Sequence, residues 1–138
     1  MFDELKKYKN NDHFFFTAKT ELEDVCNAPK DKSGVYVVFE LKNGRIELIY
    51  IGSSGKIRND GNLKIRQGGL YDRIVNGKQF GQPRKISWKK RLIEENIEAL
   101  DVYWYDTGST DIPAFVETAI MQRFFDVHGR LPRWNKEI

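Results

Sequence analysis

The stretch Gly34-Val35-Tyr36-Val37-Val38-Phe39-Glu40-Leu41-Lys42-Asn43-Gly44-Arg45-Ile46-Glu47-Leu48-Ile49-Tyr50-Ile51-Gly52 decides how this chain folds. Two runs rich in Val, Ile, Tyr and Phe flank Asn43-Gly44, a dipeptide that tolerates the positive φ angles of a tight hairpin turn. The pattern predicts a β-hairpin over 34–52. Each run carries one tyrosine near a glycine, Tyr36 with Gly34 and Tyr50 with Gly52. Glycine at a strand end leaves the backbone bare, so that another backbone or a phosphate can approach. The neighbouring phenol adds a polar group to an otherwise apolar surface. Tyrosine also favours plain strands and glycine punctuates their ends, so the hairpin alone reads first as structure.

At 138 residues the chain is long enough for one domain with a real core and too short for two. Hydrophobic residues at 40% and aromatics at 13% argue for a folded protein over a disordered one. No apolar run reaches the length of a membrane span, and the start, Met1-Phe2-Asp3-Glu4-Leu5-Lys6, lacks the apolar region of a leader; a cytoplasmic protein is expected. The single cysteine, Cys26, excludes an internal disulfide. With only His13 and His128 there is no cluster of soft ligands for zinc, so any metal is expected to be hard and oxygen-ligated.

The net charge of +3 hides a strong division along the chain. Between Lys42 and Arg91 stand thirteen Lys or Arg against Glu47, Asp60 and Asp72, a net of +10, which leaves −7 for the rest. A basic belt in a nearly neutral protein suits a polyanion, because phosphate contacts supply most non-specific affinity through counterion release. A solvated surface is the ordinary reading of such a run. Its coincidence with the Tyr-Gly hairpin tips the balance toward nucleic acid.

Ahead of the hairpin, residues 1–32 read as a polar helix (Phe2 to Lys9), a Phe14-Phe15-Phe16 cluster covering a core edge, a short helical piece from Thr20 to Asn27, and a break at Pro29. Behind it, residues 53–64 are dense in Gly, Ser and Asn and predict a loop whose Lys56, Arg58 and Lys64 reach for a phosphate backbone. Residues 68–77 predict a short helix ending at Asn76-Gly77, with Leu70 and Ile74 on one face and Arg73 in the last turn. Ser87 is expected to cap a helix running to Asn96, with Lys89, Lys90 and Arg91 outward. Leu100 to Tyr105 alternates in period two and predicts a third strand. Asp111 is expected to cap a last helix, with Pro113 in its first turn, ending near Val127. On that helix the residues three and four places from Glu117 are Pro113, Ala114, Ile120 and Met121, so its carboxylate is expected to be partly buried. That is costly unless a cation or hydrogen bonds compensate. A structural ion pair and a metal ligand both fit.

Gly34-Val35-Tyr36 and Tyr50-Ile51-Gly52 together resemble the paired signature of the GIY-YIG endonuclease superfamily, with Val35 in place of its first isoleucine. The resemblance runs in order through Arg73, Glu117 and Asn135, from about Ser33 to Lys136. It implies an α+β fold, a three-stranded antiparallel sheet flanked by helices, over 33–138, with 1–32 a helical extension packed on the core. It implies metal-dependent hydrolysis of DNA phosphodiesters in Mg²⁺ or Mn²⁺. Tyr36, Tyr50 and Arg73 then act at the reacting phosphate, Glu117 binds the metal, and Gly34, Gly52 and Asn135 support the site. The belt residues Lys56, Arg58, Lys64, Arg66, Lys78, Arg84, Lys85, Lys89 and Lys90 are the expected DNA contacts. A phenol is a poor base at neutral pH unless positive charge lowers its pKa, which Arg73 and the metal would supply to Tyr36 or Tyr50. One departure stands out: many members carry a His or Tyr one helical turn beyond the arginine, and here that place is Gly77. Lys78, Tyr71 or a lysine of the 53–64 loop are the candidates to replace it. A domain that binds without cutting is the alternative. With no separate recognition domain, sequence specificity is expected to be modest or to come from a homodimer or a protein partner.

Overall fold

The computed structural model describes residues 2–138, and Met1 lies outside the described residues. The strands are β1 (Asn11–Phe16), β2 (Gly34–Lys42), β3 (Arg45–Ser54), β4 (Lys56–Ile57), β5 (Leu63–Lys64), β6 (Lys78–Gln79), β7 (Gln82–Pro83) and β8 (Ala99–Asp106). The helices are α1 (Leu22–Val25), α2 (Gly69–Asn76), α3 (Arg84–Glu94) and α4 (Pro113–His128), with a single 3₁₀ turn at Asp3–Leu5 where a longer polar helix was expected. The main sheet is antiparallel in the order β1-β8-β2-β3. Pairs β4-β5 and β6-β7 form two small ribbons.

The expected hairpin is β2-β3, and Asn43 and Gly44 both take positive φ at its turn. The sheet has four strands, not the three the family resemblance implies. The extra strand, β1, lies in the segment read as a helical extension and pairs with β8, Phe14 facing Val102. Its Phe14 and Phe16 are buried while Phe15 is 51% exposed, the alternation of an edge strand with one covered face. Only the second half of β1 alternates in burial; Asn11, Asp12 and His13 are all exposed.

Strand β2 is buried on both faces. Tyr36 and Val38 enter one core with Phe14, Phe16, Leu70, Ile74, Trp88, Leu92 and Trp104, beneath α1, α2 and α3. Val35 and Val37 enter the other with Leu5, Tyr8, Ile51, Val116, Ile120 and Phe124, beneath α4. A bulge sets the register of β3: Val38 faces Tyr50, Phe39 faces Leu48, and Ile49 is the extra residue. Ile49 and Tyr50 therefore both join the first core, and Tyr50 is re-aimed toward α2 and α3. Among the described residues no helix is long and apolar enough to cross a membrane.

Two expected caps are used differently. Helix α3 starts three residues before Ser87, after Pro83, and Ser87 is buried inside it. Asp111 leaves the cap position of α4 to Ile112, and its carboxylate accepts from the Tyr8 hydroxyl at 2.6 Å and pairs with Lys7 at 3.0 Å.

The C-terminal segment is held by charge. Glu40, 4% exposed, accepts a fork of two bonds from Arg133 (2.6 and 3.0 Å), and Arg133 also reaches Glu95 at 2.5 Å. Arg133→Met strands Glu40 in the sheet without its cation, and urea denaturation should show a loss of about 3 kcal/mol. Adding Glu40→Leu should return most of that loss, since both charges are then gone.

Candidate active site

Three side chains from β2, β3 and α3 meet beneath α2. Tyr36 is wholly buried, its ring centroid 6.1 Å from that of Tyr50. Gly52 is its Cα partner across the hairpin, and any Cβ there would collide with the Tyr36 ring and hydroxyl. Gly34 is bare for a similar reason, since a Cβ would strike the Tyr105 carbonyl of β8. The two signature glycines are thus steric partners of the sheet.

The Tyr36 hydroxyl is buried without a hydrogen-bond partner, and so is Nε of Arg73. Burial pushes the Tyr36 phenol above its ordinary value, and the charges of Arg84 and Arg73 pull against that shift. Arg73, in the last turn of α2, opens into a cleft with Ser53, Ser54, Gly55, Lys56, Lys64 and Arg66, bordered on the α4 side by Ala114. Ser53 donates a short hydrogen bond to Oε1 of Glu117. Glu117 is half-buried as its apolar neighbours imply. Burial raises its pKa, against the Ser53 hydrogen bond and the charges of Arg73 and Arg84. Helices on opposite faces of the sheet, α2 and α4, so bring Arg73 and Glu117 to the end of β3.

Tyr50 does not line that cleft. It borders a smaller one, with Gln79, Phe80, Trp134 and Asn135. Asn135 fastens the chain end to the edge of β3: its Nδ2 donates to the Ile51 carbonyl and its Oδ1 accepts from the Ile51 amide, both at 3.0 Å. The Trp134 amide extends this ladder to the Ile49 carbonyl at 2.8 Å.

The basic belt divides. The 53–64 segment is not a plain loop: β3 runs on to Ser54 and the chain then turns through the β4-β5 ribbon. In that ribbon Lys56 and Lys64 are directly opposed, an unfavourable pairing of like charges unless an anion lies between them. Arg58 is exposed near the ribbon tip, and Arg66 is held by Asp72 at 2.8 Å. Lys78, Lys85, Lys89 and Lys90 do not line the cleft, and Lys89 is paired to Glu21 at 2.6 Å. Arg84, expected on this surface, is instead 1% exposed. Arg84, Trp88 and Leu92 share one helical stripe at a spacing of four, and that stripe faces the core.

No protein-family model, no curated protein and no solved structure matches this chain. The functional reading therefore rests on its own residues. Of the candidates to fill the place one turn beyond Arg73, Tyr71 donates to the Glu23 carbonyl at 2.7 Å and Lys78 is exposed. The space beside Gly77 is taken by the Arg84 guanidinium, which a Cβ at Gly77 would strike. Arg84 and Ser53 are the two site residues that sequence reasoning did not place here. The apolar stripe it shares with Trp88 and Leu92 was a usable signal for Arg84; Ser53 had none.

Proposed function

We propose that this chain is a metal-dependent endonuclease of the GIY-YIG type that hydrolyses DNA phosphodiesters. The observation that carries the reading is a cleft lined by Arg73, its Nε unpartnered, with Ser53, Lys56 and Lys64, in which Ser53 links to the Glu117 carboxylate behind it and the charge of Arg73 acts on that carboxylate. A buried donor with no acceptor is costly in a structural arginine and useful in one that awaits a phosphate oxygen. The proposal includes a cytoplasmic location, consistent with a lone buried cysteine whose thiol burial pushes up to about 11.

The donor set suits magnesium or manganese. Among the described residues no three acidic, His or Cys side chains gather to form an all-protein cage. Mg²⁺ commonly takes one or two carboxylates and completes its shell with water and substrate phosphate, so Glu117 beside Ser53 would hold it. When bound it supplies Lewis-acid stabilisation of charge on the phosphate oxygens. Arg73 grips the scissile phosphate and stabilises the charge that builds on it. The oxygen of the attacking water bonds to phosphorus as Tyr36 or Tyr50 helps to take its proton. The opposite P–O bond breaks with its electron pair on the leaving oxygen.

The test is incubation of the purified chain with supercoiled plasmid and Mg²⁺. Nicking that EDTA arrests is expected; binding without nicking under every metal condition would favour a DNA-binding module. Lys56 and Lys64 carry a second expectation. In fluorescence anisotropy at several salt concentrations, Lys56→Ala with Lys64→Ala should lower the slope of log K against log[salt] by about 2, one released counterion per lysine. An unchanged slope would remove the ribbon from the DNA-binding surface.

A further inference from the structure

Arg84 is a buried cation without a carboxylate. At 1% exposure it spends its donors on Gln79 Oε1 (Nε, 2.9 Å), the Arg73 carbonyl (Nη1, 2.6 Å) and the Tyr50 hydroxyl oxygen (Nη2, 3.1 Å). None of these carries a formal charge. Buried charges are ordinarily paired, because leaving water is expensive. Two features soften the cost here. The Arg73 carbonyl belongs to the last turn of α2, where the helix dipole favours a cation, and the guanidinium sits 5.4–5.7 Å from the ring centroids of Tyr50, Tyr36 and Trp88.

The two Nη contacts join groups that the proposed reaction uses. One nitrogen holds the turn from which the Arg73 side chain extends; the other holds the oxygen of Tyr50. Because Arg84 can only donate, the Tyr50 oxygen must accept, and its own proton is directed elsewhere. A lysine cannot copy the arrangement, since three acceptors in one plane match the arginine fork and not an ammonium group.

We infer that Arg84 is a positioning residue of the nuclease site, which fixes the Tyr50 oxygen and the Arg73 turn with a single guanidinium. It touches neither metal nor phosphate and acts through those two residues. The inference rests on the nuclease reading above.

The experiment compares single-turnover nicking and DNA affinity for wild type, Arg84→Gln, Arg84→Lys, Tyr50→Phe and the double variant Arg84→Gln/Tyr50→Phe. Protein labelled with ¹³C at tyrosine Cζ is examined by NMR in parallel. Arg84→Gln and Arg84→Lys are each expected to lose about 100-fold in rate, the scale of a misplaced catalytic group, with DNA affinity within about threefold of wild type. The double variant should lose clearly less than the product of the two single losses, because Arg84 acts in part through Tyr50. The Tyr50 Cζ resonance should move in both Arg84 variants while those of Tyr103 and Tyr105 stay in place, which also shows that the fold is kept. An active wild type whose double variant loses the product of the single losses, or an unmoved Tyr50 resonance, overturns the role of Arg84 alone. A wild type that never nicks DNA overturns the nuclease reading and this inference with it.

Discussion

Glu117→Gln is expected to lose metal-dependent nicking by about 10³-fold or more, the equivalent of roughly 4 kcal/mol, while keeping its affinity for DNA. The amide is nearly isosteric and can still accept from Ser53, but it carries no charge for a divalent cation. Its effect on stability runs the other way. Burial raises the pKa of Glu117 in the folded protein, so the folded state binds this proton more tightly than the unfolded chain does. At pH values above the raised pKa the wild type bears the full cost of a half-buried charge. That cost fades as pH falls toward the ordinary glutamate value, below which both states are protonated. Glu117→Gln should therefore melt at or above the wild-type temperature at pH 8, and the difference should vanish in acid. A Glu117→Gln protein that melts below wild type at pH 8 would point to an ion pair with Arg73 as the main role of this residue.

Arg73→Lys and Arg73→Ala are each expected to cut the nicking rate by about 10²–10³-fold, the range found when one donor to a developing anion is removed. Lysine should not rescue, since a single ammonium cannot grip two oxygens of one phosphate in a plane. DNA affinity should fall only a fewfold, because Lys56, Lys64 and the rest of the belt remain. Arg73→Met should be less stable than wild type in urea at pH 8, because it takes away the charge that offsets the burial of the Glu117 carboxylate. Wild-type activity in Arg73→Lys would reduce the residue to a point charge at the cleft rim.

The parts of the fold that the sequence disclosed are those in which local and tertiary preferences agree. Asn43-Gly44 between two β-rich runs specified the hairpin, the period-two pattern of Leu100 to Tyr105 specified β8, and Pro113 with Gly129 bracketed α4. Strand β1 escaped because Asn11-Asp12-His13 presents no buried face and because its partner, β8, lies some ninety residues away in sequence. The bulge at Ile49 escaped as well, since nothing in Leu48-Ile49-Tyr50 distinguishes an added residue from regular alternation.

The same contrast runs through the site. The half-buried state of Glu117 could be read from the apolar residues one turn away on either side. Arg84 could not be told from Lys85, Lys89 and Lys90 by charge alone, and a basic run reads as surface. Only its position four residues before Trp88 marked it for the interior. Asn135 was marked by the family resemblance alone, and its two bonds to Ile51 depend on a segment returning to an edge strand 84 residues earlier.

The most direct test is the initial rate of plasmid nicking in Mg²⁺ by wild type and Glu117→Gln, at protein concentrations adjusted to equal DNA occupancy, each with an EDTA control. The account predicts EDTA-sensitive nicking by wild type and about 10³-fold less by the bound, folded variant. Equal rates in the two proteins, or wild-type nicking that persists in EDTA, would contradict it.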